Sequence, residues 1–294
     1  MEAHLEQYRI FKTTAESESI SSAAQKLFMT QSAVSQSIKN LEASLKTTLF
    51  IRTAKGISLT GEGEVLYSYV SSSLGLLEAG ESRLSSFKTL DEGELCLAAG
   101  DTVSSYFLLP RLELFHKLYP KIKIKVINRV TSEAVELLKN GKIDLAFGNM
   151  PINDSSLNVR KCLEVHDVFV AGNGFDLLKD KVLTRRQISE LPLILLEKKS
   201  NSRNYVDSRF LASGYSLCAD IELGAHELLL QFAQINLGVS CVIKEFSKKY
   251  FDDGSVFEIK TDDPLPARHI GCITLKRLSL SAAAKKFMEY IPQL

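Results

Sequence analysis

The chain offers nothing to a membrane and little to an oxidising compartment. No apolar run approaches the 18 residues that a bilayer-spanning helix needs. The start, MEAHLEQYRI, lacks the basic-then-apolar pattern of a secretory signal. Cysteines number five, at Cys96, Cys162, Cys218, Cys241 and Cys272, and none forms a CxxC pair. An odd, scattered set argues for reduced thiols in the cytoplasm. Cys96, Cys241 and Cys272 stand in apolar runs and read as small buried hydrophobes, with a redox-sensing pair as the alternative. Neither GxGxxG nor GxxxxGK[ST] occurs. The histidines His4, His116, His166, His226 and His269 fall in no metal-ligand spacing. No paired carboxylates and no nucleophile–base pair stand out, so no metal, cofactor or catalytic residue is expected.

Charge of either sign is also scarce in the net. The 294 residues carry a formal charge of +1, weak support for nucleic-acid binding over the whole chain. The distribution is more telling. Residues 26–60 hold the cations Lys26, Lys39, Lys46, Arg52 and Lys55 against the single acid Glu42. A local basic patch suits a small reading head.

That patch surrounds SSAAQKLFMTQSAVSQSIKNLEASL, residues 21–45. The stretch reads as two short helices joined by a tight turn. Ser21 can cap the first, whose inner face is Ala23, Ala24 and Leu27. In the second, Val34, Ile38, Leu41 and Leu45 recur at spacings of four, three and four, one face of a helix. The opposite face carries Gln31, Ser32, Ser35, Gln36, Lys39 and Asn40. An ordinary surface helix would show Glu/Lys pairs there. Hydroxyls, amides and one cation instead suit base edges and phosphates in a DNA groove. A small helical hairpin without a ligand is the plainer alternative. Upstream, Leu5, Tyr8, Ile10 and Phe11 form an apolar stripe on a further helix. Downstream, RTAKGIS at 52–58 is a turn between two β-leaning pieces, placing Arg52 and Lys55 at a hairpin tip.

Residues 61–88 read as one long helix with a weak heptad seam: Leu66, Val70, Ser73, Leu77, Gly80, Leu84 and Phe87. It suits a subunit contact or docking on its own core. Beyond Gly93 the pattern alternates strands (94–99, 122–128, 143–148, 165–171, 192–196, 219–223, 238–243, 268–275) with helices (103–118, 132–140, 203–213, 225–236, 281–291), which predicts parallel-type α/β layers.

The run Leu5, Phe11, Ser19, Ala23-Ala24, Leu27, Gln31-Ser32-Ala33-Val34-Ser35, Ile38, Leu41-Glu42, Leu45, Leu49-Phe50-x-Arg52, Leu59-Thr60 and Gly63 resembles the winged helix-turn-helix of LysR-type bacterial transcriptional regulators. One departure is Lys46, where the family usually has Gly ending the recognition helix. The resemblance implies an N-terminal all-α winged helix-turn-helix over 1–60, a linker or dimerisation helix over 61–90, and an α/β two-lobed effector domain like type 2 periplasmic binding proteins over 91–294. Lobe I would hold about 91–162 and 267–294, and lobe II about 163–266. It implies contacts to double-stranded operator DNA from Gln31, Ser32, Ala33, Ser35, Gln36, Lys39, Arg52 and Lys55. It also implies a homodimer or homotetramer in the bacterial cytoplasm, with RNA polymerase a candidate partner.

In two-lobed α/β folds a ligand sits outside the carboxyl ends of the strands. Three hydroxyl-rich turns fall there: Gly100-Asp101-Thr102-Val103-Ser104, Asn128-Arg129-Val130-Thr131-Ser132 and Lys198-Lys199-Ser200-Asn201-Ser202-Arg203. Each opens a helix, where free N–H groups attract anions. Each alone is compatible with a plain cap; the coincidence of three carries the reading of a small carboxylate, sulfate-like or other anion. Family resemblance places Thr102, Ser104 and Thr131 at the effector, and loop chemistry adds Ser200, Asn201, Ser202 and Arg203. His226 and Arg268 are open between cleft residues and structural ones. The expected activity is ligand-responsive transcription regulation without turnover. The alternatives are a solute-binding protein, an enzyme with a regulatory DNA-binding head, and a redox-sensing regulator without a small-molecule ligand.

Overall fold

The computed structural model describes residues 3–53, 56–86 and 93–294, without the side chains of 52, 53, 79 and 82–86. The chain divides into two units. The first begins with α1 (Leu5–Ala15), α2 (Ile20–Lys26) and α3 (Gln31–Leu45). Ile10, Phe11, Ala23, Ala24, Val34, Ile38 and Leu41 close one core between them. Leu5, expected in the stripe, is half exposed. The cap of α2 is Ser19 rather than Ser21: its hydroxyl accepts from Ser22 N at 3.1 Å. The alanines leave no side chain to hold the helices apart, so α2 crosses close to α3.

A hairpin follows, β1 (Phe50–Thr53) with β2 (Gly56–Leu59), then α4 (Gly61–Ser86). Glu42 is the joint between helix and wing. Its carboxylate accepts from the backbone N–H of Leu49 at 2.7 Å and of Phe50 at 3.3 Å. Thr60 accepts from Gly63 N at 2.9 Å and donates to Thr48 O at 2.8 Å. A Cβ on Gly63 would stand 2.2 Å from Leu49 O, so the close approach of α4 needs glycine there. Lys46 takes φ 54, the left-handed conformation that glycine would supply, and α3 ends at Leu45 without it. Val70 and Leu74 are buried in the head's own core, with Leu66 and Tyr67 packed against it. The first part of the expected seam is therefore used within the chain, in a register through Leu74 rather than Ser73. Val65, Tyr69 and Leu77 remain exposed on α4. Leu84 and Phe87 lie outside the described side chains, as does the turn bearing Lys55.

The second unit has two five-stranded sheets. One orders β3 (Glu94–Ala99), β4 (Lys123–Asn128), β5 (Leu145–Asn149), β6 (Leu157–Val165) and β14 (Arg268–Leu275) as β4-β3-β5-β14-β6. The other orders β7 (Asp167–Gly172), β9 (Leu193–Leu196), β10 (Ala219–Leu223), β11 (Val239–Ile243) and β12 (Val256–Glu258) as β10-β9-β11-β7-β12. A small parallel pair joins β8 (Val182–Leu183) to β13 (Lys260–Thr261). The helices are α5 (Asp101–Val103), continuing through a π-turn at Ser104–Leu108 into α6 (Leu109–Leu118); α7 (Thr131–Lys139); α8 (Arg185–Ser189); α9 (Asn201–Ala212); α10 (His226–Gln234); α11 (Lys248–Asp252); and α12 (Ala282–Phe287).

Both sheets are covered on both faces. Leu95, Leu97 and Ala99 enter one core while Cys96 and Ala98 enter another. Leu193 and Leu195 likewise part from Ile194. That is why such strands read as continuous apolar runs. The layers are mixed rather than parallel: β14 runs antiparallel to β5 and β6, and β7 antiparallel to β11 and β12. The strand expected at 165–171 is β7, two residues later. Before it lies β6, unexpected because LNVRKCLEV carries an edge strand's charges. β6 pairs with β14 as far as Val165↔Arg268, so the first crossing between lobes is at His166, later than the expected 162–163.

Candidate functional site

In the N-terminal unit the polar face of α3 stands bare. Thr30 caps the helix, accepting from Ala33 N at 3.2 Å. Gln31, Ser32, Gln36 and Lys39 are exposed, and Ala33 and Ser35 half-buried. Among the described residues two bonds tie reading side chains: the Ser32 hydroxyl with the Thr30 hydroxyl at 3.1 Å, and Gln36 Nε2 to Asn40 Oδ1 at 2.9 Å. Strand β1 carries Arg52; its side chain and all of Lys55 lie outside the described residues.

In the α/β unit, a cavity of about 250 Å³ opens at the carboxyl ends of β3, β4, β5, β9, β10 and β11. The three hydroxyl-rich turns meet there. Thr102, Thr131, Ser200, Asn201 and Ser202 all line it. Each turn starts a helix whose first three amides precede the first main-chain bond: Ser104 N to Gly100 O, Ala134 N to Val130 O, and Asn204 N to Ser200 O, at 2.9–3.0 Å. Three sets of N–H groups without an intrahelical partner are thus gathered from segments far apart in the chain. Gly148 fits this packing: a Cβ would stand 2.4 Å from Thr131 Cγ2.

Charge in the wall is mixed. Arg129 is held by Glu133 at 3.4 Å. Lys199 has no ion-pair partner among the described residues. Asp101 and Glu197 also line the cavity.

Polar contacts tie the lobes together. Asn201 Nδ2 donates to Thr131 Oγ1 at 2.8 Å, and Asn149 N donates to the same oxygen at 3.2 Å. Tyr106 donates to the Glu227 carboxylate from the opposite lobe, and Tyr250 joins at 2.6 Å. Burial, and after it that carboxylate, pushes the Tyr250 phenol up to about 12.

Two residues expected at the effector, Arg203 and Ser104, and two left open, Arg268 and His226, stand elsewhere. Arg203 turns away from the cavity: its Nε meets both Asp207 oxygens at 2.8 Å and its Nη1 the Leu196 carbonyl at 2.8 Å, 3% exposed. A buried guanidinium must be paired, and its partners lie on its own lobe. Arg268 sits at the crossing, donating to Asp167 Oδ1 at 2.9 Å, Ser202 Oγ at 3.0 Å and Asn149 Oδ1. It lines an adjoining groove rather than the cavity. His226 is 4% exposed. Its Nε2 accepts from Ile243 N at 3.0 Å. Burial pushes its pKa down to about 4, so it is a neutral core group. Ser104 falls in the π-turn, its hydroxyl buried without a partner. Phe147, Gly148 and Asn149 at the end of β5, and Gly224 after β10, line the cavity without having stood out in the sequence. The Gly-Asn pair closing an apolar strand was the available signal.

Two family models match: the LysR substrate binding domain over residues 88–294 and the bacterial regulatory helix-turn-helix protein, lysR family, over 5–64. The chain is 27% identical over 290 residues to the HTH-type transcriptional activator CmpR of Synechocystis, covering 98% of this chain and 95% of that one. A full-length OxyR variant from Pseudomonas aeruginosa superposes with a TM-score of 0.69 at 16% identity, covering 99% of this chain and 93% of that one. CbnR complexed with its target DNA gives 0.66 at 18%, covering 98% of each chain.

Proposed function

This chain belongs to the LysR family of transcriptional regulators, and we propose that it reads operator DNA with α3 and senses a small anion in the interlobe cavity. On this reading Gln31, Ser35, Gln36 and Lys39 meet base edges and phosphates in the major groove. Ser32 and Ala33 lie at the same helix start, and Arg52 and Lys55 anchor the wing. CbnR has been seen on target DNA with this fold. Two heads would be paired through the exposed Val65, Tyr69 and Leu77 face of α4, as a homodimer or as a homotetramer made of two such dimers. The working place is the cytoplasm, and RNA polymerase is a further partner.

The observation that carries the sensing half is the convergence of three helix starts and Lys199 on one cavity drawn from both lobes. Unpartnered N–H groups and a cation favour a carboxylate, sulfate-like or other oxyanion. At about 250 Å³ the space suits a small metabolite. The wall offers hydroxyls, amides and main chain rather than a nucleophile with its base, which favours binding without turnover and without a cofactor. Binding bridges the lobes and acts only as far as it favours one lobe arrangement; each tenfold preference is about 1.4 kcal/mol. Such a preference changes how paired heads are presented to successive half-sites.

Redox sensing has one observation behind it. Cys162 and Cys272 lie in one core on the neighbouring strands β6 and β14, and the Cys272 thiol draws the Cys162 thiol below its ordinary pKa. Both are 1% exposed, which places them beyond ready access by an oxidant, so ligand sensing is preferred.

The test is retention of random-sequence duplexes by the full-length chain. Recovery of a common sequence supports the regulator reading. Recovery of none rejects it in favour of a solute-binding role.

A further inference from the structure

Among the described residues, three that are not glycine take positive φ: Phe28, Lys46 and Asn236. Asn tolerates that conformation, and a lysine there keeps its charge in water. Phe28 is the anomaly. It is 98% exposed, the most exposed large apolar side chain described.

Its position is set by backbone hydrogen bonds. Met29 N donates to Ala24 O at 2.9 Å and Phe28 N to Gln25 O at 3.2 Å. These are the two bonds of a Schellman motif ending α2, with Phe28 at the left-handed site that glycine ordinarily fills. Leu27 and Met29 pack against the head's core. The turn therefore holds the ring outward, where it covers no apolar neighbour. The free head gains nothing from phenylalanine here: a Cβ opposes the backbone conformation, and the ring opposes water.

What the ring meets is suggested by its address. It precedes Thr30, the cap of α3, by two residues, at most about 7 Å of extended chain. The start of a reading helix is the end that enters the major groove. The apolar group on the base edges of that groove is the thymine methyl, which phenylalanine is suited to contact. We infer that Phe28 is a specificity-determining residue that packs on a thymine methyl at the edge of each half-site. The inference rests on the DNA-binding reading above.

The test uses the full-length chain and the duplex that the wild-type chain itself selects from a random pool. Phe28→Ala should weaken binding to that duplex about tenfold and to random duplexes less than twofold. Deoxyuridine in place of one thymidine per half-site should reproduce the loss for the wild type and add none to Phe28→Ala. Phe28→Gly should raise the melting temperature while losing affinity as Phe28→Ala does, which separates recognition from folding. Wild-type affinity in Phe28→Ala would overturn the inference, leaving the DNA-binding reading intact. Equal losses on all duplexes would also overturn it, pointing to a backbone contact. So would a change in the oligomeric mass of DNA-free Phe28→Ala, pointing to a second copy. Failure of the wild type to select any sequence would remove the DNA-binding reading and this inference with it.

Discussion

The reading head and the effector module handle polar groups in opposite ways. On the reading face of α3 the polar side chains from Gln31 to Asn40 sit on one rigid helix, mostly in water, and apart from Gln36 with Asn40 bond to nothing beyond the helix start. Around the cavity they are bonded to each other across lobes: Asn201 to Thr131, Arg268 to Asn149 and Ser202, Tyr106 to Glu227. A surface built for a duplex keeps its donors and acceptors free, because the partner supplies the complement. A cavity inside a hinged module must satisfy its buried groups without a ligand, and must trade those bonds when one arrives. Substitutions in the head should therefore act on binding, and substitutions around the cavity on stability.

The largest test of that contrast is Arg268→Leu. It leaves Asp167, 5% exposed at the crossing between lobes, without its guanidinium partner. The expected loss is about 3–5 kcal/mol in urea unfolding, most of it recovered in Arg268→Leu with Asp167→Leu. A loss under about 1 kcal/mol would show that the crossing does not hold the lobes.

His226 should make the module acid-sensitive. Its pKa is about 4, mainly from burial, against an ordinary 6.5. The unfolded chain therefore binds the proton first, and stability is lost as pH falls from about 6.5 to 4. The full effect is about 3 kcal/mol. Urea titrations at pH 7 and pH 4.5 should differ by less in His226→Gln, whose amide oxygen can still accept from Ile243 N. An equal pH dependence in both proteins would reject the assignment.

In the head, Gln36→Ala or Ser35→Ala should cost about 1–3 kcal/mol on a selected duplex, little on random DNA, and nothing measurable in stability. Equal losses on both DNAs would mean that these side chains do not read bases.

How legible each region was in the sequence follows from the same difference. The head's candidate residues lie within one short helix, so periodicity alone brought Gln31 to Lys39 onto one face. The cavity needs residues from 100 to 243. Strand-end reasoning reached three of its turns but not Asn149, hidden by ending β5 early. Arg203 misled, and His226 stayed open, because a cation or imidazole at a helix start looks the same whether it faces a ligand or a buried partner. Burial decides between these, and burial is not periodic. Edge strand β6 escaped because its charges mask its pairing with β14.

A smaller effect probes the bonds that a ligand would replace. Thr131→Ala removes the oxygen that accepts from both Asn201 and Asn149. A loss of about 1 kcal/mol is expected by chemical denaturation; no loss would mean that the interlobe bond contributes nothing to the free protein.

The central claim is that the cavity takes a small anion. It is tested most directly by the melting temperature of the full-length chain against a set of small carboxylates, sulfur oxyanions and phosphates. A ligand at 100 times its Kd adds about 2.7 kcal/mol, a rise of roughly 5–10 °C for a unit of this size. The account predicts such a rise for one class of anion, abolished in both Thr102→Ala and Lys199→Ala. A rise that survives both substitutions, or none with any anion, would contradict it.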